Sequence, residues 1–344
     1  MKISRRSFLK KQATAACAAV SLNTPFLRAQ TPSPILGQGN FRYRIVPNWG
    51  VLGAETPVKN CHGLVVDREG HIILLTDHPA NNVLIYEPSG KLAHKWTLSL
   101  PGAHGLSIVQ EGQRQVLFLT CLSTHRVLKT SLGGEILQEW LAPQSHYPNP
   151  SDFKPSWTLH LPDGGFFILD GYGQDYIARY ASDGSLHSVF GGKEGGITHW
   201  GPHGGLIDPR SPQTPSLLIA MSDQQHLLQL SPKGEPLGTT PLPGGNPRQI
   251  RFLNQHFFVA HLADDWPKNR NSRGFLSVLN SQLQVVSNIA GTAPEYSDQG
   301  RLLPMKSQEP VFEHPHDVLP TPDGCLYVAQ FNSGNTYPIK LEPA

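Results

Sequence analysis

A repeat of about 45 residues, four short β-rich runs in each copy, and a stray N-terminal run that completes the last copy predict an all-β fold. The expected architecture is a six-bladed β-propeller of four-stranded blades, its ring closed by the N-terminal strand joining the last blade. Glycine (33) and proline (31) punctuate the 344-residue chain throughout. No long stretch carries an apolar period of 3.6 residues, which argues against helix. A sandwich or a β-helix also repeats, but four strands per unit fit blades better than solenoid coils.

The first copy shows the logic. Cys61-His62-Gly63-Leu64-Val65-Val66 is a short strand, and Asp67-Arg68-Glu69-Gly70 is a turn. Ile72-Ile73-Leu74-Leu75-Thr76 is a mostly apolar strand, and Asn81-Asn82 a second turn. Val83-Leu84-Ile85-Tyr86 is a third strand, and Ser89-Gly90 turns into a fourth. A second copy starts at His104-Gly105-Leu106 and a third at Pro155-Ser156-Trp157. The fourth starts at Pro202-His203-Gly204. The fifth, from Pro247-Arg248-Gln249, is interrupted by an insertion over 264–273. The sixth, from Pro315-His316-Asp317, supplies only three strands before the chain ends. Phe41-Arg42-Tyr43-Arg44-Ile45-Val46 is a strand without a blade. Pairing it with the sixth unit removes two exposed edges.

Residues 1–29 are set apart as an export signal, leaving 30–344 as a single propeller domain. Ser4-Arg5-Arg6-Ser7-Phe8-Leu9-Lys10 is a twin-arginine motif. The apolar run that follows, 13–22, is too short to span a bilayer, and Ala29 suits cleavage. The expected location is the periplasm or the extracellular space, reached in the folded state and without a membrane anchor. The segment holds Lys2, Arg5, Arg6, Lys10, Lys11, Arg28 and no acid. Of the chain's 28 basic and 26 acidic residues it leaves 22 against 26, a net charge of −4. That balance provides no footprint for nucleic acid or an anionic membrane surface. A monomer is expected. Cys61, Cys121 and Cys325 form no C-x-x-C pair, so no disulfide framework is read from them.

The 16 histidines all lie outside the signal. The first strand of each blade is innermost, so residues at its start face the central channel. That position reads His62, His104, Ser156, His203, Arg248 and His316 around the ring. Proline-x-glycine openings tolerate histidine for structural reasons, but converging neutral imidazoles are also what Zn²⁺ or another divalent transition metal needs. His71, His78, His94, His125 and His226 fall at turns or on outer strands and read as surface residues. Trp157, Trp200, Trp266 and Tyr147 are aromatic candidates for a binding face or for core packing.

Three motifs carry a resemblance. Leu100-Pro101-Gly102-Ala103-His104-Gly105-Leu106-Ser107-Ile108, Pro202-His203-Gly204 and Pro315-His316-Asp317-Val318 are similar to the zinc-histidine motifs of the peptidyl-α-hydroxyglycine α-amidating lyases. These belong among the NHL-repeat propellers, which the whole mature chain resembles. Phe167-Ile168-Leu169-Asp170-Gly171-Tyr172 is similar to the segment carrying that family's catalytic tyrosine. The resemblance implies Zn²⁺ on His104, His203 and His316. It also implies Tyr172 as the base, with its pKa lowered near the metal, and a structural Ca²⁺ held partly by Asp317. The activity implied is cleavage of a peptidyl-α-hydroxyglycine to peptide amide and glyoxylate.

The chain also departs from the family. Its first-blade arginine is replaced by His62, a possible fourth ligand, and Arg248 is the candidate for the missing positive charge. Gly173-Gln174-Asp175-Tyr176 replaces the segment after the tyrosine, and Ser222-Asp223-Gln224-Gln225-His226 replaces a fourth-blade motif. Three functions are therefore weighed. The first is a metal-dependent lyase acting on a small or peptide-derived substrate. The second is a non-catalytic NHL-type propeller binding a protein or carbohydrate partner. The third is a gluconolactonase-type hydrolase, which needs carboxylates around Ca²⁺ rather than imidazoles.

Overall fold

The computed structural model describes residues 34–192, 201–264, 268–269, 271–332, 334 and 337–344. Residues 1–29, read above as an export signal, Trp200, Trp266 and part of the 264–273 insertion lie outside these residues. Among the described residues, twenty-four strands, numbered in chain order, build six antiparallel four-stranded sheets. Blade 1 holds β2 (Cys61–Val66), β3 (Ile72–Thr76), β4 (Val83–Tyr86) and β5 (Leu92–Trp96). Blade 2 holds β6 (Ala103–Glu111), β7 (Arg114–Cys121), β8 (Arg126–Ser131) and β9 (Ile136–Leu141). Blade 3 runs β10 (Trp157–His160), β11 (Phe166–Leu169), β12 (Tyr176–Tyr180) and β13 (Leu186–Gly191). Blade 4 comprises β14 (Pro202–Ile207), β15 (Leu217–Met221), β16 (His226–Leu230) and β17 (Pro236–Pro241). Blade 5 comprises β18 (Pro247–Leu253), β19 (His256–His261), β20 (Phe275–Leu279) and β21 (Val285–Ile289).

The last blade closes the ring as the sequence predicts. β22 (Pro315–Pro320), β23 (Leu326–Gln330) and β24 (Ile339–Pro343) are joined on the outside by β1 (Tyr43–Val46). The register pairs Tyr43 with Pro343, Arg44 with Glu342, Ile45 with Leu341 and Val46 with Lys340. The innermost strands touch in cyclic order: β2 on β6, then β10, β14, β18, β22, and back to β2.

Burial explains the apolar runs. A blade is covered on both faces by its neighbours, so its second strand is apolar at successive positions rather than at alternate ones, as in Ile72–Thr76, Phe166–Leu169 and Leu217–Met221. In β3, Ile72 and Leu74 face blade 6 with Leu319 and Tyr327, while Ile73 and Leu75 face blade 2 with Leu106 and Leu119. Six such clusters fill the six interfaces. The outermost strand is largely exposed in blade 4, Pro236–Pro241, whereas β21 of blade 5 is buried at four of its five positions. Cys61, Cys121 and Cys325 are buried, and none of them forms a disulfide. Among the described residues no helix is long and apolar enough to cross a membrane.

Candidate metal centre

The inner position of five of the six blades is shaped by a break in register. Pairing of the first two strands skips between Cys61 and Gly63, Ala103 and Leu106, Pro202 and Gly204, Pro247 and Ile250, and Pro315 and Asp317. His62, His104, His203, Arg248 and His316 sit in those five bulges. A bulge bends the strand and re-aims the side chain, here toward the axis. Ser156 ends the run just before β10. Its hydroxyl lies 2.9 Å from Pro202 O and 3.1 Å from Leu169 O, so it is absorbed in backbone contacts. Glycine follows three of the histidines because the next inner strand leaves no room for a Cβ. At Gly63 one would meet Leu106 Cβ at 2.7 Å.

All four imidazoles are buried. Ring centroids are 4.9 Å apart for His62 and His104, 4.7 Å for His62 and His316, and 4.7 Å for His104 and His316. His203 joins from the other side, 4.9 Å from His104 and 4.8 Å from His316. The ligating atoms of His62, His104 and His316 all lie within 4.8 Å of one another.

Blades 2, 4 and 6 share one device. His104 Nδ1 donates to Ser156 O at 2.9 Å, His203 Nδ1 to Arg248 O at 3.0 Å, and His316 Nδ1 to His62 O at 2.8 Å. Each acceptor is the backbone carbonyl at the inner position of the next blade. The bond sets the tautomer and leaves the Nε2 lone pair free, as second-shell partners of metal-binding histidines do. Burial, first of all, holds these three imidazoles well below their ordinary pKa. The neighbouring histidines and Arg248 push the same way. They are therefore neutral, the form that ligates.

This arrangement fits a borderline-soft cation. His104 Nε2 and His316 Nε2 are 3.1 Å apart. With both Nδ1 protons spent on carbonyls, two lone pairs face each other between buried side chains. A shared cation removes that conflict, and tetrahedral Zn–N bonds of about 2.0–2.1 Å separate nitrogens by about 3.3 Å. His62 is held differently. Its Nε2 stands 3.7 Å from Asp77, too far for a hydrogen bond, and its buried Nδ1 has no hydrogen-bond partner. Asn60 fixes Asp77 through its backbone and side-chain amides. Burial alone would raise the Asp77 carboxyl, but His62 and Asn60 hold it down at about 2.

Tyr172 stands on the loop after β11, 41% exposed, with its ring 5.1 Å from that of His104. Its hydroxyl donates to His203 Nε2 at 2.9 Å and accepts from Arg248 Nη1 at 3.4 Å. Asp170 anchors the loop by accepting from Lys154 N, Gln174 N and the Tyr147 hydroxyl. The lowered phenol pKa expected for Tyr172 is not what the protein alone produces. Burial raises it, Arg248 draws it down, and Asp223 opposes Arg248. A lowering would have to come from a bound cation.

The Ca²⁺ implied at Asp317 does not fit. Both of its carboxylate oxygens are taken by the Arg251 guanidinium, and one also accepts from Leu64 N. Trp157 and Tyr147 are core residues, 1% and 3% exposed. None of His71, His78, His94, His125 and His226 is buried. Asp77 and Phe331, whose ring lies 5.8 Å from His62 and 6.4 Å from His316, join the site without having been read from the sequence. The signal for Asp77 was its place in the repeat, directly after the second strand, where Asp170 stands in blade 3.

No family model matches the chain. It is similar to peptidyl-alpha-hydroxyglycine alpha-amidating lyase 1 of Drosophila melanogaster, with 26% identity over 276 residues. The chain resembles an amidating lyase. That match covers 73% of this chain and 47% of the lyase, so the chain spans about half the length of its relative. Among solved structures, the virginiamycin B lyase of Staphylococcus aureus superposes with a TM-score of 0.52 and 15% identity, over 82% of this chain and 80% of that one. A putative oxidoreductase (glucose dehydrogenase) of Thermus thermophilus gives 0.52 and 16%, over 87% and 99%. Identities this low carry the fold alone.

Proposed function

We propose that the chain is an exported, metal-dependent carbon–nitrogen lyase acting on an α-hydroxyglycine-type carbinolamide, which it splits into an amide and glyoxylate. The observation that carries this reading is the Tyr172 hydroxyl, 2.9 Å from His203 Nε2 at the open edge of the imidazole cluster. His104, His203 and His316 would hold the metal, with His62 adjacent. When bound, a zinc ion supplies Lewis-acid polarisation of the substrate's hydroxyl oxygen.

Tyr172 takes the hydroxyl proton as the carbon–nitrogen bond breaks and carbon–oxygen double bonding forms. The departing amide nitrogen gains a proton, so none is lost overall. Arg248, 7% exposed and beside the Tyr172 oxygen, stabilises the phenolate and offers a charge-assisted anchor for the substrate carboxylate. The backbone carbonyls behind the three histidines hold ligand orientation through the reaction. Export in the folded state belongs to the same proposal and rests on the twin-arginine motif.

A second reading is favoured by the closeness of His62, His104 and His316. Four imidazoles would close the site, leaving a structural metal in a propeller that binds a protein or carbohydrate partner. Against it, the described surface exposes no tryptophan or phenylalanine. Elemental analysis of the purified protein beside His203→Ala, with a glyoxylate-release assay on an α-hydroxyglycine peptide, separates the two. About one equivalent of zinc lost in His203→Ala, with turnover abolished, is expected. Tyr172→Phe should keep the metal and lose about 10²–10⁴ in rate. Metal without glyoxylate release leaves the binding module. No metal removes both.

A further inference from the structure

We infer that Arg251 is a built-in cation, filling from within the chain a site that would otherwise need a hard divalent metal. The site lies in the channel on the inner strands, and the inference does not depend on the lyase reading. Asp317, on β22, is completely buried. Arg251, on β18, places Nε 3.0 Å from Oδ1 and Nη2 2.5 Å from Oδ2. The same Nη2 donates to Leu64 O at 2.7 Å, and Leu64 N donates to Oδ2 at 2.8 Å. The guanidinium also lies over the Trp157 ring, 5.5 Å from its centroid. One side chain from blade 5 thus joins blades 1, 3 and 6.

The donor set facing the guanidinium is all oxygen: two carboxylate oxygens and a strand carbonyl. That is what Ca²⁺ selects, together with water. A cavity of about 360 Å³, lined by Arg251, Trp157, Thr158 and Ser107, opens beside it and would supply the water. The planar fork does the same work as the ion without solvent exchange and with fixed direction. A buried carboxylate stripped of that partner must find another cation or be protonated.

The test is thermal unfolding of wild type, Arg251→Met and the double variant Arg251→Met with Asp317→Asn, each in EGTA and in millimolar Ca²⁺, with Mg²⁺ as control. Wild type should show one Tm in all three. Arg251→Met should fall by roughly 5–10 °C in EGTA and regain at least half of the loss in Ca²⁺. The double variant, with no charge to neutralise, should lie above the single variant in EGTA and ignore Ca²⁺. The inference is overturned if wild type itself depends on Ca²⁺. It is equally overturned if Arg251→Met is as stable as wild type, or if that variant, folded or not, gains nothing from Ca²⁺.

Discussion

His261 shows how one buried side chain sets a pH response. It is fully buried, stacked on Phe275 at 4.6 Å, with Nε2 bonded to the Ser277 hydroxyl. Burial lowers its pKa to about 3, whereas an unfolded histidine titrates near 6.5. Between those values the unfolded chain binds the extra proton. Stability is therefore lost as pH falls through that window, at about 1.4 kcal/mol per pH unit for one histidine. His261→Gln should flatten the pH dependence of urea-unfolding free energy by about that slope, measured with chelator present. An unchanged slope would mean that the imidazole is already charged in the fold. Legibility at this scale was uneven. The four central histidines could be read because each occupies a fixed place in a repeat, whereas Tyr172 was legible only through the family resemblance of its segment. Arg251 and Asp317 could not be paired, because they lie 66 residues apart on different blades and neither has a repeated counterpart. The Nδ1-to-carbonyl bonds were also invisible, since a sequence does not say which backbone oxygen a neighbouring blade presents.

At the scale of the strand, the bulges carry the site. Each gains one residue that need not pair, and that residue is the ligand or the arginine. The sequence announced the strands through their apolar runs but not the bulges, which arise from backbone register rather than composition. Gly63 tests the point. Its missing Cβ lets β2 and β6 approach between His62 and His104, and an added methyl would press on Leu106. Gly63→Ala should cost about 1–3 kcal/mol in urea unfolding. It should also weaken metal binding about 10–100-fold, as disturbance of supporting contacts around ligands does. If stability falls and metal affinity does not, the spacing of blades 1 and 2 is irrelevant to the site.

For the whole molecule, the fold was legible because a propeller repeats its physics six times, and the incomplete last unit showed where closure had to occur. Closure rests on four pairs between β1 and β24. Removing the chain through Val46 should leave the β24 edge open and uncover Leu341. The expected result is a lower Tm and self-association by edge pairing, read by calorimetry and light scattering. A monomer as stable as the parent would show that blade 6 holds with three strands.

The bonds from each histidine to the next blade's carbonyl have a further effect. The acceptors lie 52, 45 and 254 residues from their donors, and the longest joins the last blade to the first. His316 thus acquires its orientation only when the circle is complete. An open circle would present that imidazole as a loosely tethered, poorly chelating group. Metal affinity would then gauge ring integrity, and escape of a bound ion would be timed by the parting of blades 6 and 1. An ion held there would serve as a rivet at the hub, and the clasp at the rim would decide whether the rivet can be set.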